Sequence, residues 1–184
     1  MWNRFRIHGM KTRAAVATAA HKPLQIVEID VASPQEGEVL VRMAATGVCH
    51  TDVNALDGND RVLRFPVVLG HEGAGIVEAV GDGVRKVNVG DHVVLTTLGN
   101  CGCCDACDRG QPTACRDTMG RLSQPFTVGG EKAFSFANAG VFTETVVAKE
   151  TQAIVIDPDV PFEAASLIGC AVVTGAGAVL NRAK

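Results

Sequence analysis

The chain has 184 residues, 47% of them hydrophobic and 20% charged, a globular composition long enough for one domain with a buried core and short for two. That balance excludes a disordered or fibrous chain. The formal net charge is −3, but Arg4, Arg6, Lys11 and Arg13 lie in the first thirteen residues, so residues 14–184 hold thirteen basic against twenty acidic side chains and carry −7; an acidic body with 4% aromatics and no Tyr is a poor nucleic-acid binder.

In chain order, residues 1–9 precede Met10, which opens a phrase that reads like a protein start, and they are expected to be a poorly ordered extension. The run Ala14–Ala20 follows four basic residues in the manner of a secretory leader, but it contains Thr18 and leads into strand-like sequence, so it is read as a first β-strand. Cytoplasmic placement is expected. No uninterrupted apolar run approaches the roughly 18 residues of a membrane span, and no membrane partner is expected. Strand-like runs cover Arg13–Ala19, Gln25–Val31 and Glu38–Ala45, broken by His21-Lys22-Pro23 and by residues 32–37. Val67–Leu69, Gly75–Val80 and His92–Thr96 continue the rhythm, which suits a small barrel or sandwich. Residues 97–140 lack periodicity and read as one long loop, which needs a staple or a function. Phe142–Ala148 and Ala153–Ile156 return to strand character, and Pro161–Ile168 and Ala171–Ala183 look helical. The fold class is mainly β with short helices.

Inside the long loop, Cys101-x2-Cys104-x2-Cys107-x7-Cys115 places four thiols within fifteen residues. Tight Cys-x2-Cys turns supply thiolates to the corners of a Zn²⁺ tetrahedron, and without a credible leader a disulfide framework is disfavoured. An iron–sulfur reading fails because the spacing to Cys115 and its successor Arg116 do not follow the bacterial ferredoxin run. The loop is therefore expected to hold a structural zinc. Cys103 is surplus, although it could enter a shifted ligand register. Two further thiols lie apart: Cys49 in Gly47-Val48-Cys49-His50-Thr51-Asp52, and Cys170 near the C-terminus. Alone, each reads as a small buried hydrophobe. With His71 in Gly70-His71-Glu72-Gly73 they make a Cys2His set, which leaves a fourth zinc position open for water or substrate.

These motifs, with Val89-Gly90-Asp91-His92-Val93 and Gly169-Cys170-Ala171-Val172-Val173-Thr174-Gly175, stand in the order seen in the zinc-dependent medium-chain alcohol dehydrogenases, and the resemblance runs from Met10 to Lys184. It looks closest to the branch of glutathione- or mycothiol-dependent formaldehyde dehydrogenases and related bacterial alcohol dehydrogenases. The resemblance implies a GroES-like β-barrel catalytic domain over residues 10–184, with a catalytic zinc on Cys49, His71 and Cys170 and Glu72 beside it. Cys101, Cys104, Cys107 and Cys115 would hold a second, structural zinc. It further implies that Asp52 fixes the His71 tautomer, Thr51 takes the alcohol proton, His50 meets the cofactor pyrophosphate and Thr174 lies at the nicotinamide. The implied reaction is oxidation of a primary alcohol, or of the thiol adduct of formaldehyde, through a zinc alkoxide that gives hydride to NAD or NADP. Two positions depart from the liver-type pattern: Asn54 replaces a relay His, and Thr97 replaces a bulky pocket aromatic.

A nicotinamide fold needs Gly-x-Gly-x-x-Gly after a strand. The runs from Gly73 and Gly175 fail at the third glycine, where Glu78 and Leu180 stand. The Rossmann domain is thus expected to be absent from this chain, which is expected to be the zinc half of a longer enzyme and inactive in hydride transfer by itself, with a homo-oligomer expected for the full-length form. The competing reading is a non-catalytic, zinc-stabilised β-barrel interaction module.

Overall fold

A computed structural model describes residues 9–60, 62–119 and 123–183. Residues 1–8 of the expected extension lie outside the described residues. The strands are β1 (Met10–Ala17), β2 (Gln25–Val31), β3 (Glu38–Gly47), β4 (Val67–Val68), β5 (Glu72–Val80), β6 (His92–Leu95), β7 (Phe126–Val128), β8 (Glu131–Ser135), β9 (Thr145–Lys149) and β10 (Ala153–Val155). In β1 the buried positions Thr12, Ala14 and Val16 alternate with exposed Lys11 and Arg13, the period-two pattern of a strand with one wet face. β1, β2, β7, β8 and β4 close a barrel, and β10-β6-β5-β3-β9 form a second, five-stranded sheet. The main core is rich in β-branched valine, with Val16, Val31, Val39, Val41, Val77 and Val93 fully buried beside Leu95 and Phe126. Such side chains pack well on pleated surfaces, and they build this core without Tyr.

The structure corrects the long-loop reading of residues 97–140. Their second part contains β7 and β8, joined at Gly129 and Gly130, both at positive φ, and β7 pairs with β2 to complete the barrel. Strands of three and five residues are too short to show a period, and it is the pairing that makes them strands. Helical turns also punctuate the thiol-rich part: α2 (Asp105–Asp108), a 3₁₀ turn at Pro112–Ala114 and α3 (Arg116–Met119). A short α1 (His50–Leu56), not anticipated from the sequence, follows directly on Cys49.

The last element joins the two helices expected over Pro161–Ile168 and Ala171–Ala183. α4 (Phe162–Ala165), a π turn (Ile168–Val172) and α5 (Val173–Asn181) form one continuous 20-residue helical rod of mean hydropathy 1.7, only 11% buried and long and apolar enough to meet the length and composition of a span. The sequence hides this because Glu163, Ser166 and the glycines interrupt the apolar run without interrupting the helix. Its foot belongs to the domain: Ala165 is buried with Ala74 and Val94, and the Phe162 ring lies 4.6 Å from that of His92.

Candidate metal centres

The β3–β5 ladder brings the dispersed residues together. Gly47, the last residue of β3, pairs with Glu72, the first of β5. Cys49, two residues past one strand, and His71, one residue before the other, therefore emerge at the same end of the sheet. The Thr46 hydroxyl donates to the Glu72 carbonyl (2.8 Å) and holds that corner. The third contributor arrives on the helical rod. At Gly169 a Cβ would collide with the Leu95 carbonyl, so only glycine lets the rod approach β6 closely enough to bring Cys170 in. The ligand atoms of Cys49, His71, Glu72 and Cys170 all lie within 4.8 Å of one another.

Asp52, 2% exposed, organises this corner. Its Oδ1 accepts the Gly70 N–H (2.9 Å) and lies 3.3 Å from His71 Nδ1, while Oδ2 accepts the Cys49 N–H (3.2 Å). With Nδ1 donating to the carboxylate, Nε2 carries the lone pair a metal needs. Burial works against the charged form of His71, but Asp52 and Cys49 outweigh it and raise its pKa above the usual value. The backbone N–H and hydroxyl of Thr51, together with His71, draw Cys49 toward thiolate. Cys170 goes the other way: burial first, then the Glu72 carboxylate and Cys49, push its thiol up to about 12. Acid and thiol groups crowded on one point resist a second negative charge, and a dication reverses that preference by deprotonating a coordinating thiol. The donor set fits Zn²⁺.

Cys101, Cys104, Cys107 and Cys115 form the second cluster, again with ligand atoms mutually within 4.8 Å. Cys104 and Cys107 sulfurs are 3.7 Å apart, and Cys101 and Cys115 sulfurs 3.6 Å. A Zn–S bond of about 2.3 Å gives a tetrahedron edge of about 3.8 Å, whereas a disulfide needs about 2.05 Å. Spacing and chemistry fit a ZnS4 site, with the N–H groups of Cys101 and Asp117 each donating to Cys115 Sγ at 3.3 Å. The Cys103 N–H favours the Cys101 thiolate, but burial and the neighbouring thiols prevail and push Cys101 up to about 12. Cys103 itself is exposed and stands outside the four-thiol set.

The alcohol dehydrogenase GroES-like domain matches residues 35–158. The chain belongs to this family. The S-(hydroxymethyl)glutathione dehydrogenase of Synechocystis is 48% identical over 95% of this chain and 50% of its own length. Among solved structures, an alcohol dehydrogenase zinc-binding domain protein from Burkholderia ambifaria superposes with a TM-score of 0.88 at 39% identity, covering 95% of this chain and 49% of that one. Benzyl alcohol dehydrogenase from Acinetobacter calcoaceticus gives a TM-score of 0.83 at 35% identity, with 94% and 48% coverage. The chain thus spans about half the length of these relatives.

Within this GroES-like domain Thr51, another residue selected from the sequence, lies beside the dispersed cluster. Thr51 Oγ1 lies 3.5 Å from Cys49 Sγ. His50, Thr51 and Asn54 are exposed on α1, and Thr174 is exposed on α5. Thr97 is half-buried. One neighbour was missed: Phe136 stands edge-on to His71, ring centroids 5.7 Å apart at 71°. It lies 65 positions along the chain in the unperiodic segment, and no local pattern marks it.

Proposed function

We propose that this domain is the zinc-bearing catalytic portion of an NAD(P)-dependent alcohol dehydrogenase, acting on a primary alcohol or on the thiol adduct of formaldehyde. The observation that carries the reading is the convergence of Cys49, His71, Glu72 and Cys170 from three separate elements. When bound, zinc supplies Lewis acidity to the alcohol oxygen and a nicotinamide accepts the hydride. Cys49, His71 and Cys170 would hold that metal, with Glu72 as an adjoining carboxylate. Asp52 keeps the imidazole in the ligating tautomer. Thr51 Oγ1, beside Cys49, would take the alcohol proton, and with Asn54 in the next relay position the proton would leave by water or another group. His50, exposed on the same helix, would contact the cofactor pyrophosphate, and Thr174 would lie at the nicotinamide. The substrate class is supported by the names of the relatives, one acting on a hydroxymethyl thiol adduct and another on benzyl alcohol. A reducing compartment, the cytoplasm, suits a chain whose seven cysteines are all unbridged.

Metal stoichiometry tests the reading. Two zinc ions per chain are expected, one lost selectively in Cys49→Ser or His71→Ala and the other in Cys104→Ser. A single zinc, lost only with Cys104, would leave an interaction module in place of an active centre.

A further inference from the structure

Beyond Leu95 the chain leaves the second sheet for the four-thiol loop, and Ser123 stands where it returns. Thr96, at the exit, is held at both backbone groups by one residue. Its N–H donates to the Gln152 carbonyl and its own carbonyl accepts from Gln152 Nε2, each at 3.0 Å. The other Nε2 hydrogen goes to the Asn138 carbonyl (3.0 Å), and Gln152 Oε1 accepts the Lys149 N–H (3.2 Å). Gln152 is 2% exposed, so its amide finds these partners inside the fold. Asn138 Oδ1 then accepts the N–H of Ser123 (3.3 Å), whose carbonyl accepts the Ser135 N–H (2.8 Å). Exit and return of the loop therefore meet at Gln152 and Asn138.

The same Asn138 ends the 3₁₀ turn Phe136–Asn138, whose first residue stands edge-on to His71. Ala137 and Asn138 sit at φ 51° and 57°, a left-handed conformation that non-glycine residues hold only when surrounding contacts impose it. We propose that Gln152 is a positioning residue that couples the two metal clusters, tying the root of the four-thiol loop to the turn that sets Phe136 against His71. Without its two N–H donors the carbonyls of half-buried Thr96 and Asn138 lose a partner each, and the turn is free to relax.

This inference rests on the two-metal reading, so the test has an arm that does not. Gln152→Met keeps the volume and removes the side-chain hydrogen bonds, and Val77→Ala, in the main core on β5, serves as a core-weakening control away from the clasp. In the cobalt-loaded full chain, Gln152→Met is expected to speed chelator extraction from the four-thiol cluster about tenfold and to shift the d–d bands of the Cys49–His71–Cys170 cluster. Val77→Ala, matched for loss of Tm, changes neither. Equal behaviour of the two variants overturns the proposal. Should the wild type take up fewer than two metal ions, the metal-centre reading fails separately, and amide exchange decides the clasp. Joint acceleration at residues 96–100 and 138–141 in Gln152→Met supports it, and acceleration at one segment alone overturns it.

Discussion

The two clusters draw on similar donors but are assembled in opposite ways. Cys101, Cys104, Cys107 and Cys115 come from one stretch of fifteen residues shaped by tight turns, so the loop folds around its own ligands. Cys49, His71, Glu72 and Cys170 span 122 positions and meet only because β3 pairs with β5 and a helix docks on β6. The local site lends its binding free energy to a segment with little core of its own. The dispersed site takes its geometry from a core that is already built. One is a staple, and the other is a product of the fold.

That contrast can be broken first at Gly169. Gly169→Val puts a side chain against the Leu95 carbonyl, at a cost of about 2–3 kcal/mol typical of overpacking, and carries Cys170 away from its partners. The expected result is loss of the dispersed metal with the loop metal retained, read by metal analysis and Tm; loss of both ions, or of neither, breaks the distinction. A smaller change separates geometry from ligation. Asp52→Asn keeps the shape but weakens the hold on His71 Nδ1, and metal affinity at the dispersed cluster should fall about 10–100-fold while the loop cluster is unmoved, as measured by competition with a chromogenic chelator.

The smallest effect lies away from both clusters. The Glu150 carboxylate accepts the backbone N–H of Lys86 and then that of Arg85, and these outweigh burial and hold it below its ordinary 4.5. A depressed carboxylate contributes above its unfolded-state pKa, and the contribution is lost as pH falls from 4.5 through the lower folded value. Glu150→Gln should cost less than about 1 kcal/mol at pH 7 for so solvent-screened a group, and the gap should vanish at acid pH in thermal melts. Neither metal content should change.

Much of this was legible before any coordinates. The run Gln25–Val31 is a strand over those same residues, and the four-thiol spacing foretells a cluster, because both depend on interactions between near neighbours. The hairpin β7–β8 was not legible, since three residues such as Phe126–Val128 carry no period and owe their extended form to β2. The helices read over Pro161–Ile168 and Ala171–Ala183 are present, but their joining into one 20-residue rod was not legible, because helical continuity depends on backbone hydrogen bonds and not on apolarity.

The sequence by itself determined the donor inventory, the local staple and the family, because residue type and short spacing encode turn geometry and ligand chemistry directly. Only the tertiary structure decided that Asp52 serves Cys49, Gly70 and His71 together, that Phe136 meets His71, and that Gln152 joins the two regions. Those contacts join residues that lie far apart along the chain or share one side chain among several partners. They exist only after strand register and helix docking have brought separate segments to one place.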